Sequence, residues 1–386
     1  MNNFMDHIGN AYIKDYILRS KFYKHNVQFD QLKERFEKID SIKDVDELQI
    51  NINKYIPLNS IFAGEYIGSI SMYYGHFDSL IDYAGLNGYK PMVLPEIEHG
   101  INFLESIIPY SRIHQAPNFV FQGEYKKERI LKKDPYKPVF CIGPYIHYAK
   151  DYYNEQQMHE IKQRYGKTLL VFPSHTYEQS RQRYEEEKFV DQIMEYGRDF
   201  DTVLVNAYWV DLRSRVYKLF RDKGAIVVSA GVRLDTNFIR RLKTIISLSD
   251  YVIGNNIGTN IGYCIYLKKP FQLIDSEIKL IDKCTKRDAK IYNQNYEQFV
   301  DAFAKNDTEL INLLYTKFWG GENLIKSRQE IKNMILLSDK LIKYSLGSEN
   351  KYDDNVKRLY RKLSSPNTPD EKIQFELLKN SINNFK

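Results

Sequence analysis

The stretch that decides the fold is Ser249-Asp-Tyr-Val-Ile-Gly-Asn-Asn-Ile-Gly-Thr-Asn-Ile-Gly-Tyr-Cys-Ile-Tyr-Leu-Lys-Lys-Pro-Phe-Gln-Leu-Ile274. It predicts a short strand, a turn rich in glycine, asparagine and threonine, a helix, and a second strand after Lys269-Pro270. A helix that begins directly after such a turn presents free backbone N–H groups and the positive end of its dipole to an anion. The segment therefore predicts a βαβ unit with a phosphate-binding turn, a feature typical of nucleotide-dependent enzymes.

The same alternation of strands and helices extends on both sides of this segment. Short apolar runs rich in β-branched residues alternate with amphipathic stretches, which is typical of a parallel, doubly wound sheet. Strands are predicted at Thr168–Phe172, Thr202–Val205, Ala225–Val228, Tyr251–Ile253 and Phe271–Ile274, and helices at Glu155–Tyr165, Glu185–Tyr196, Val210–Asp222, Asn237–Ser247 and Gly258–Leu267.

The first part of the chain is an irregular α/β region, and the last part is helical. A chain of 386 residues is too long for one ordinary core, so two domains are expected. Helices are predicted over 10–50 and at Ile70–Tyr83, Tyr296–Ala304, Thr308–Phe318, Ile325–Tyr344 and 371–382, and strands at Ser60–Ala63, Pro91–Leu94, Asn118–Phe121 and Lys137–Ile142.

Two Rossmann-like halves followed by terminal helices resemble the GT-B glycosyltransferase architecture. The resemblance implies an α/β fold in which two Rossmann-like domains face a cleft and the C-terminal helices cross back to the first domain. It assigns residues 1–150, with helices from about 340–386, to an acceptor-binding domain. Residues 151–339 would form the domain that binds the nucleotide sugar.

The composition narrows the functional class. The 56 basic and 50 acidic residues are interspersed and give a net charge of +6, whereas a dedicated nucleic-acid binder usually has a stronger basic stripe. Three cysteines without a C-x-x-C pair indicate a reducing compartment and argue against structural zinc. The interspersed charges therefore predict a protein that does not bind nucleic acid. The sequence has no signal pattern and no long apolar run, so a cytoplasmic location is expected.

Polar residues follow two of the predicted strands. Ser174, His175 and Thr176 come after the strand that ends at Phe172, and Arg233 follows Ala225–Val228. Ligands of doubly wound sheets bind at the carboxyl ends of strands, where hydroxyl, imidazole and guanidinium groups can hold a phosphate. The alternatives are turn hydrogen bonds for the hydroxyls and a surface ion pair for the arginine.

The turn in the opening segment adds five candidates to the same edge. Asn255, Asn256, Gly258, Thr259 and Asn260 lie where the helix begins, so they are predicted to contact the phosphate or sugar of a donor. Helix capping alone is the alternative explanation for these small polar residues.

A base is predicted in the first domain. Sugar transfer needs a group that accepts the proton of the acceptor hydroxyl, and Glu96, Glu98 and His99 follow a predicted strand that should open onto the cleft. Glu98 and His99 are adjacent, so only one of them is expected to point into the cleft. The alternative is a loop whose acids cap the next helix.

Three other motifs are candidates for a role in the cleft or in metal binding. The strand exits Gln122–Tyr125 and Gly143–Tyr148 could line the cleft or pack as an interdomain hinge. Asp199-Phe-Asp201 has the spacing of a metal-binding D-x-D motif but precedes its strand. Dehydrogenase, P-loop NTPase and α/β-hydrolase activities are disfavoured because their glycine motifs are absent from the sequence.

The motif order resembles bacterial GT-B enzymes of capsule, lipooligosaccharide and teichoic-acid assembly. The loop Glu96–Gly100, the strand end Pro173-Ser-His175 and the turn Asn256–Thr259 occur in the order seen in sialyltransferases and polysialyltransferases. In those families the acidic loop supplies the base, and the histidine and hydroxyl motifs hold the CMP phosphate. Here Pro-Ser-His replaces His-Pro, and the resemblance to CDP-glycerol glycerophosphotransferases is of comparable quality.

The predicted function is a glycosyltransferase that moves a sugar from a nucleotide-sugar donor to a glycan or lipid-linked glycan acceptor. No cofactor and no essential metal are expected, because fixed donors replace the metal. The alternatives are a CDP-polyol phosphotransferase and a non-catalytic GT-B-like scaffold. The basic run Lys357–Lys362 is either a solvated helix face or a peripheral contact at the inner face of the membrane.

Overall fold

The computed structural model describes residues 42, 69–89, 95–101, 103, 118–133, 135, 138–175, 182–208, 211–212, 214–233, 235–274, 279–280 and 286–346. The predicted strands Ser60–Ala63 and Pro91–Leu94, the helix over 371–382 and the basic run Lys357–Lys362 lie outside these residues, as does the predicted helix over 10–50 except for residue 42.

Strands and helices are numbered in chain order. The strands are β1 Glu96–Ile97, β2 Phe119–Phe121, β3 Val139–Cys141, β4 Thr168–Phe172, β5 Gln182–Arg183, β6 Thr202–Asn206, β7 Ile226–Val228, β8 Tyr251–Gly254, β9 Phe271–Leu273 and β10 Lys279–Leu280. The α-helices are α1 His76–Ala84, α2 Lys127–Lys133, α3 Glu155–Tyr165, α4 Glu186–Tyr196, α5 Arg215–Asp222, α6 Phe238–Leu248, α7 Thr259–Tyr266, α8 Lys286–Ala304, α9 Thr308–Trp319 and α10 Arg328–Leu346.

The larger sheet has five parallel strands in the order β7-β6-β4-β8-β9. All five residues of β4 are buried, because helices cover both faces of the sheet. Leu169 and Val171 pack on one side with Phe189 of α4 and Phe220 of α5. Leu170 packs on the other side, in the same core as α6. This arrangement is the predicted doubly wound sheet.

The smaller sheet has three parallel strands in the order β1-β2-β3. Ile97, Val120 and Ile142 join the core that also covers one face of the larger sheet. Phe119 and Phe121 face the other way and pack on Ile130 of α2. Two parallel sheets with flanking helices confirm the predicted α/β class.

A late helix returns to the first part of the chain. The Nε–H group of Arg328, at the start of α10, donates a hydrogen bond to the carbonyl of Tyr83 in α1 at 2.7 Å. Ile331 and Ile335 of α10 share a core with Leu80 of α1. The helix α10 therefore contacts the first part of the chain, whereas most of the crossing region expected at about 340–386 lies outside the described residues and the domain boundaries remain predictions.

One predicted helix is divided in the structure. The periodicity over Ile70–Tyr83 predicts a single helix, but a 3-10 helix occupies Ser69–Gly75 and α1 begins only at His76. The break occurs at Tyr74 and Gly75, which have φ values of 60° and 65°. A glycine takes this left-handed conformation readily, which accounts for Gly75 but not for Tyr74.

Candidate functional site

The predicted phosphate-binding residues meet where the order of the larger sheet reverses. From β4 the chain runs outward through β6 and β7, then returns to the other side of β4 with β8 and β9. Ser174 follows β4 and Asn255 follows β8, and the backbone N–H of Ser174 donates to Asn255 Oδ1 at 2.6 Å. Ligands of open α/β sheets bind outside the carboxyl ends of strands at such a switch point.

The Ser174 side chain is buried there without a hydrogen-bond partner among the described residues. The residue is 8% exposed, and its Oγ has no donor or acceptor within range. Buried hydroxyls normally have a partner, and this one keeps its hydrogen-bonding capacity at the switch point, where open α/β sheets bind ligands. His175 turns toward β6, where its ring lies 4.4 Å from the ring of Tyr208. Thr176 lies outside the described residues.

The turn before α7 brings the helix N-terminus to the same edge. Gly258 is the N-cap residue, with an extended backbone and no side-chain cap, and α7 begins at Thr259. The Oδ1 of Asn256 accepts from the N–H of Ile257 at 2.8 Å, so that side chain stabilises the turn itself. The Oδ1 of Asn260 lies against the open side of Gly258. Gly258 therefore offers no side-chain cap to the first N–H groups of α7, of which that of Ile261 donates to the carbonyl of Gly258 at 3.1 Å.

The two predicted acids of the first domain are buried. Glu96 lies inside β1 and is 2% exposed. Glu98 follows β1, and its carboxylate lies 2.6 Å from Lys126 Nζ, with both side chains at most 8% exposed. Both acids are therefore in the interior, with Glu98 paired to Lys126, and their expected place at the cleft remains a prediction.

His99 is the exposed member of the predicted base loop. Its ring stacks on Tyr74 with centroids 6.3 Å apart and meets the edge of Tyr73 at 6.1 Å. Two residues later, the N–H of Ile101 donates to Thr259 Oγ1, the first residue of α7, at 2.9 Å. The base loop of the smaller sheet thus touches the N-terminus of α7, and the carboxyl edges of the two sheets meet.

Arg233 reaches the same place from the loop after β7. Its guanidinium carbon lies 4.9 Å from the centroid of the Tyr73 ring, and its carbonyl accepts from the N–H of Tyr74 at 2.5 Å. A fully buried ion pair between Asp235 and Arg241 anchors this loop to α6. The structure therefore brings Arg233 and His99 onto the same pair of tyrosines.

Several residues of the site had no signal in the sequence. Tyr73 and Tyr74 read as apolar positions of one helix, and Lys126 is 28 positions from Glu98. His76 packs edge-on against Tyr145 at 4.8 Å. Burial, and to a smaller degree the neighbouring His99, lowers the pKa of His76 to about 3. His76 is therefore neutral in the folded protein near neutral pH.

The loops Gln122–Tyr125 and Gly143–Tyr148 pack between the sheets, which was one of their two expected roles. Tyr145 is buried and its hydroxyl donates to the carbonyl of Val120 at 2.9 Å. His147 Nδ1 lies 2.6 Å from the hydroxyl of Tyr266 in α7. The contact of His147 fixes the end of α7 against the loop after β3.

The described part of the chain has neither a metal-binding cluster nor a membrane-spanning helix. There, no group of three or more His, Cys, Asp or Glu side chains is arranged to hold a metal ion. Likewise, no helix among these residues is both long and apolar enough to cross a bilayer. The expected metal independence, cytoplasmic location and membrane contact remain predictions.

Comparisons with known proteins add structural neighbours only. No protein-family model and no curated protein matches the chain. The wall teichoic acid polymerase TagF aligns at 14% identity with a TM-score of 0.34, covering 59% of both chains. The structure of MnaA from S. aureus with UDP aligns at 12% identity with a TM-score of 0.33, and the alignment covers 61% of this chain and 62% of MnaA.

A third neighbour is the UDP-GlcNAc 2-epimerase from Neisseria meningitidis bound to UDP-GlcNAc, at 13% identity and a TM-score of 0.32. That alignment covers 60% of this chain and 63% of the epimerase. The chain thus spans less than two thirds of each of these three structures. At such identities and TM-scores the similarity says nothing about activity or substrate, and the α/β class rests on the sheets themselves.

Proposed function

We propose that the protein is a glycosyltransferase that moves a sugar from a nucleotide-sugar donor to a growing bacterial surface glycan. The observation that carries the proposal is the buried hydroxyl of Ser174, which has no hydrogen-bond partner among the described residues, at the switch point of the larger sheet beside the turn that starts α7. A hydroxyl donor and the N-terminal N–H groups of a helix suit the phosphate oxygens of a nucleotide.

The leaving nucleotide gains negative charge as the bond between the anomeric carbon and the phosphate oxygen breaks. Ser174, the N-terminus of α7 and Arg233 would stabilise that charge, since preorganised donors act where charge develops in the transition state. His175, Thr259 and the asparagines of the turn complete the proposed donor site. Such a set needs no metal ion, and metal independence is part of the proposal.

His99 is the proposed base. It would accept the proton of the acceptor hydroxyl while the acceptor oxygen forms its bond to the anomeric carbon and the nucleotide leaves with the electron pair. His99 is exposed and close to Arg233 through Tyr73, whereas Glu98 is buried and paired with Lys126. The geometry therefore favours His99 over the two acids of the same loop.

The acceptor in this proposal is a glycan or a lipid-linked glycan, reached from the cytoplasmic side of the membrane. The smaller sheet would carry it, because its base loop supplies His99. The basic run Lys357–Lys362 would favour contact with anionic lipid beside such an acceptor.

A transfer assay tests the proposal. The purified protein is incubated with surface glycan fragments and with UDP-, GDP-, dTDP-, ADP- or CMP-sugars, CDP-glycerol or CDP-ribitol, in EDTA and in magnesium. Phosphorus NMR follows the donor, and mass spectrometry follows the acceptor. Release of nucleotide with a sugar mass added to the acceptor, in EDTA, supports the proposal. A phosphodiester product from a CDP-polyol would replace it with phosphotransfer. No product from any donor would favour the scaffold alternative.

A further inference from the structure

Tyr74 has a backbone conformation that its position in the chain does not explain. Three non-glycine residues of the described chain have positive φ: Tyr74 at 60°, Lys268 at 54° and Asn306 at 52°. Lys268 and Asn306 follow the C-terminal ends of α7 and α8, where left-handed residues commonly terminate helices. Tyr74 instead lies at the kink between the 3-10 helix and α1, where a bulky side chain makes this conformation unfavourable.

Contacts with the larger sheet impose this conformation. The N–H of Tyr74 donates to the carbonyl of Arg233 at 2.5 Å. Gly75 fits against the carbonyl of Thr236 so closely that a Cβ atom there would lie 2.2 Å from the oxygen. Both partners belong to the loop after β7. The left-handed pair therefore holds the start of α1 on the loop that carries Arg233.

The strained conformation places the ring of Tyr74 between His99 and α6. It stacks against His99 with an interplanar angle of 22° and packs on Phe238 of α6 with centroids 4.7 Å apart. The adjacent ring of Tyr73 receives the edge of His99 and the guanidinium of Arg233. A glycine at position 74 would form the same turn without strain but would leave His99 without its stacking partner.

We propose that Tyr74 is a positioning residue that fixes the imidazole of His99 relative to Arg233. Unfavourable backbone conformations persist where the surrounding structure enforces them, and they concentrate at functional sites. The two loops come from different sheets, and the Tyr73–Tyr74 turn touches both of them. This inference rests on the proposed function, because it assigns the stacked histidine to the reacting centre.

The test compares Tyr74→Gly with Tyr74→Phe in the full-length protein. Tyr74→Gly relieves the backbone and removes the ring, and we expect kcat to fall at least tenfold with little change in the donor KM. Tyr74→Phe keeps the ring and should retain kcat within about twofold, because a misplaced catalytic group loses rate and not substrate binding. Asn306→Gly is the matched control, since it relieves the same φ far from the site and should leave kcat unchanged.

A spectroscopic readout separates this inference from the proposed function. The Cε1–H proton signal of His99, assigned with His99→Gln, should be displaced by the ring current of Tyr74 in the wild type and in Tyr74→Phe. The contribution of Tyr74 should disappear in Tyr74→Gly, so the signal should move, while the ring of Tyr73 keeps its own contribution. An unchanged His99 signal in Tyr74→Gly, or unchanged kcat despite a changed signal, would overturn the positioning role. Wild-type protein that transfers no sugar would sink the proposed function, while the signal alone would still decide whether Tyr74 places His99.

Discussion

Buried polar groups follow the parallel strands at the carboxyl edges of both sheets, but the partners of these groups differ. At the edge of the smaller sheet, hereafter the filled edge, Glu98 is paired with Lys126 and Tyr145 is buried against the strands. At the edge of the larger sheet, hereafter the open edge, Ser174 has a buried hydroxyl without a partner among the described residues, and the N-terminus of α7 has no side-chain cap.

The proposed function assigns a structural role to the ion pair of the filled edge and a ligand-binding role to the open edge. Polar groups that bond to other protein groups stabilise the fold. Removal of one partner leaves the other buried without a hydrogen bond or a counter-charge, which is destabilising. Polar groups that the fold leaves unsatisfied can be satisfied by a ligand. His99 links the two, because its loop leaves the filled edge at Glu98 and reaches α7 through the Ile101–Thr259 hydrogen bond.

The largest expected effect is on turnover and follows from His99→Gln. Loss of a general base lowers kcat by about 10²- to 10⁴-fold, and the thermal midpoint should not change because the side chain is exposed. Steady-state kinetics and a thermal melt measure the two quantities. His159→Gln, at an exposed histidine of α3, is the control and should change neither. Near-normal turnover in His99→Gln would remove His99 from the mechanism.

Whereas His99→Gln should lower turnover, the variant Lys126→Met at the filled edge should lower the stability of the fold. This change leaves the buried carboxylate of Glu98 without its cation, which costs about 3–5 kcal/mol of unfolding free energy. Urea unfolding followed by tryptophan fluorescence measures the loss. The double variant Glu98→Gln with Lys126→Met should recover most of it. Lys305→Met, which breaks an exposed ion pair with Asp301, should cost less than about 1 kcal/mol.

A single variant Lys126→Met as stable as the wild type would show that the filled edge does not depend on this pair. The contrast between the two edges would then lose its structural half.

The sequence predicts the open edge better than the filled edge. Strand β4 and helix α3 have the predicted bounds, because β4 is a compact apolar run and Asn154 and Gln157 form a capping box at the start of α3. Ser174 and Asn255 come together because parallel strands end at one edge, which is a property of topology that periodicity reveals. The pairing of Glu98 with Lys126 depends on a tertiary contact that no local pattern encodes.

The break at Tyr74 was missed for a related reason. Apolar spacing over Ile70–Tyr83 fits one continuous helix, and the left-handed turn arises from contacts with Arg233 and Thr236, more than 150 positions away. Local propensity therefore gave the wrong element there, and tertiary contacts decided the conformation of the residues beside His99.

A smaller effect concerns pH. His76 has a pKa of about 3 in the folded protein and 6.5 ordinarily, so below pH 6.5 the unfolded chain binds a proton that the folded chain does not. Its contribution to stability is therefore lost as the pH falls from about 6.5 toward 3, at about 1.4 kcal/mol per pH unit. Urea unfolding at pH 7 and pH 5 should show a smaller loss in His76→Gln than in the wild type. Equal losses would mean that His76 is protonated in the fold.

The smallest effect contrasts two buried serines. Ser174→Ala should leave the free protein as stable as before or more stable by up to about 1 kcal/mol, because an unsatisfied hydroxyl is removed. Ser249→Ala should cost about 1 kcal/mol, because the Oγ of Ser249 donates to the carbonyl of Ile246 at 2.7 Å. Thermal melts without ligand compare the two. A clear destabilisation in Ser174→Ala would show that its hydroxyl already has a partner.

Nucleotide binding at the open edge is the central claim, and calorimetry tests it most directly. CMP, CDP, UDP, GDP, dTDP and ADP are titrated into the wild type, Ser174→Ala and Ser249→Ala. We predict that one nucleotide base is preferred by the wild type and by Ser249→Ala, and that its affinity falls about 10- to 100-fold in Ser174→Ala, since hydrogen bonds to charged groups contribute about 1.5–3 kcal/mol. Binding that is equally tight in Ser174→Ala, or no binding of any nucleotide to the wild type, would contradict the account.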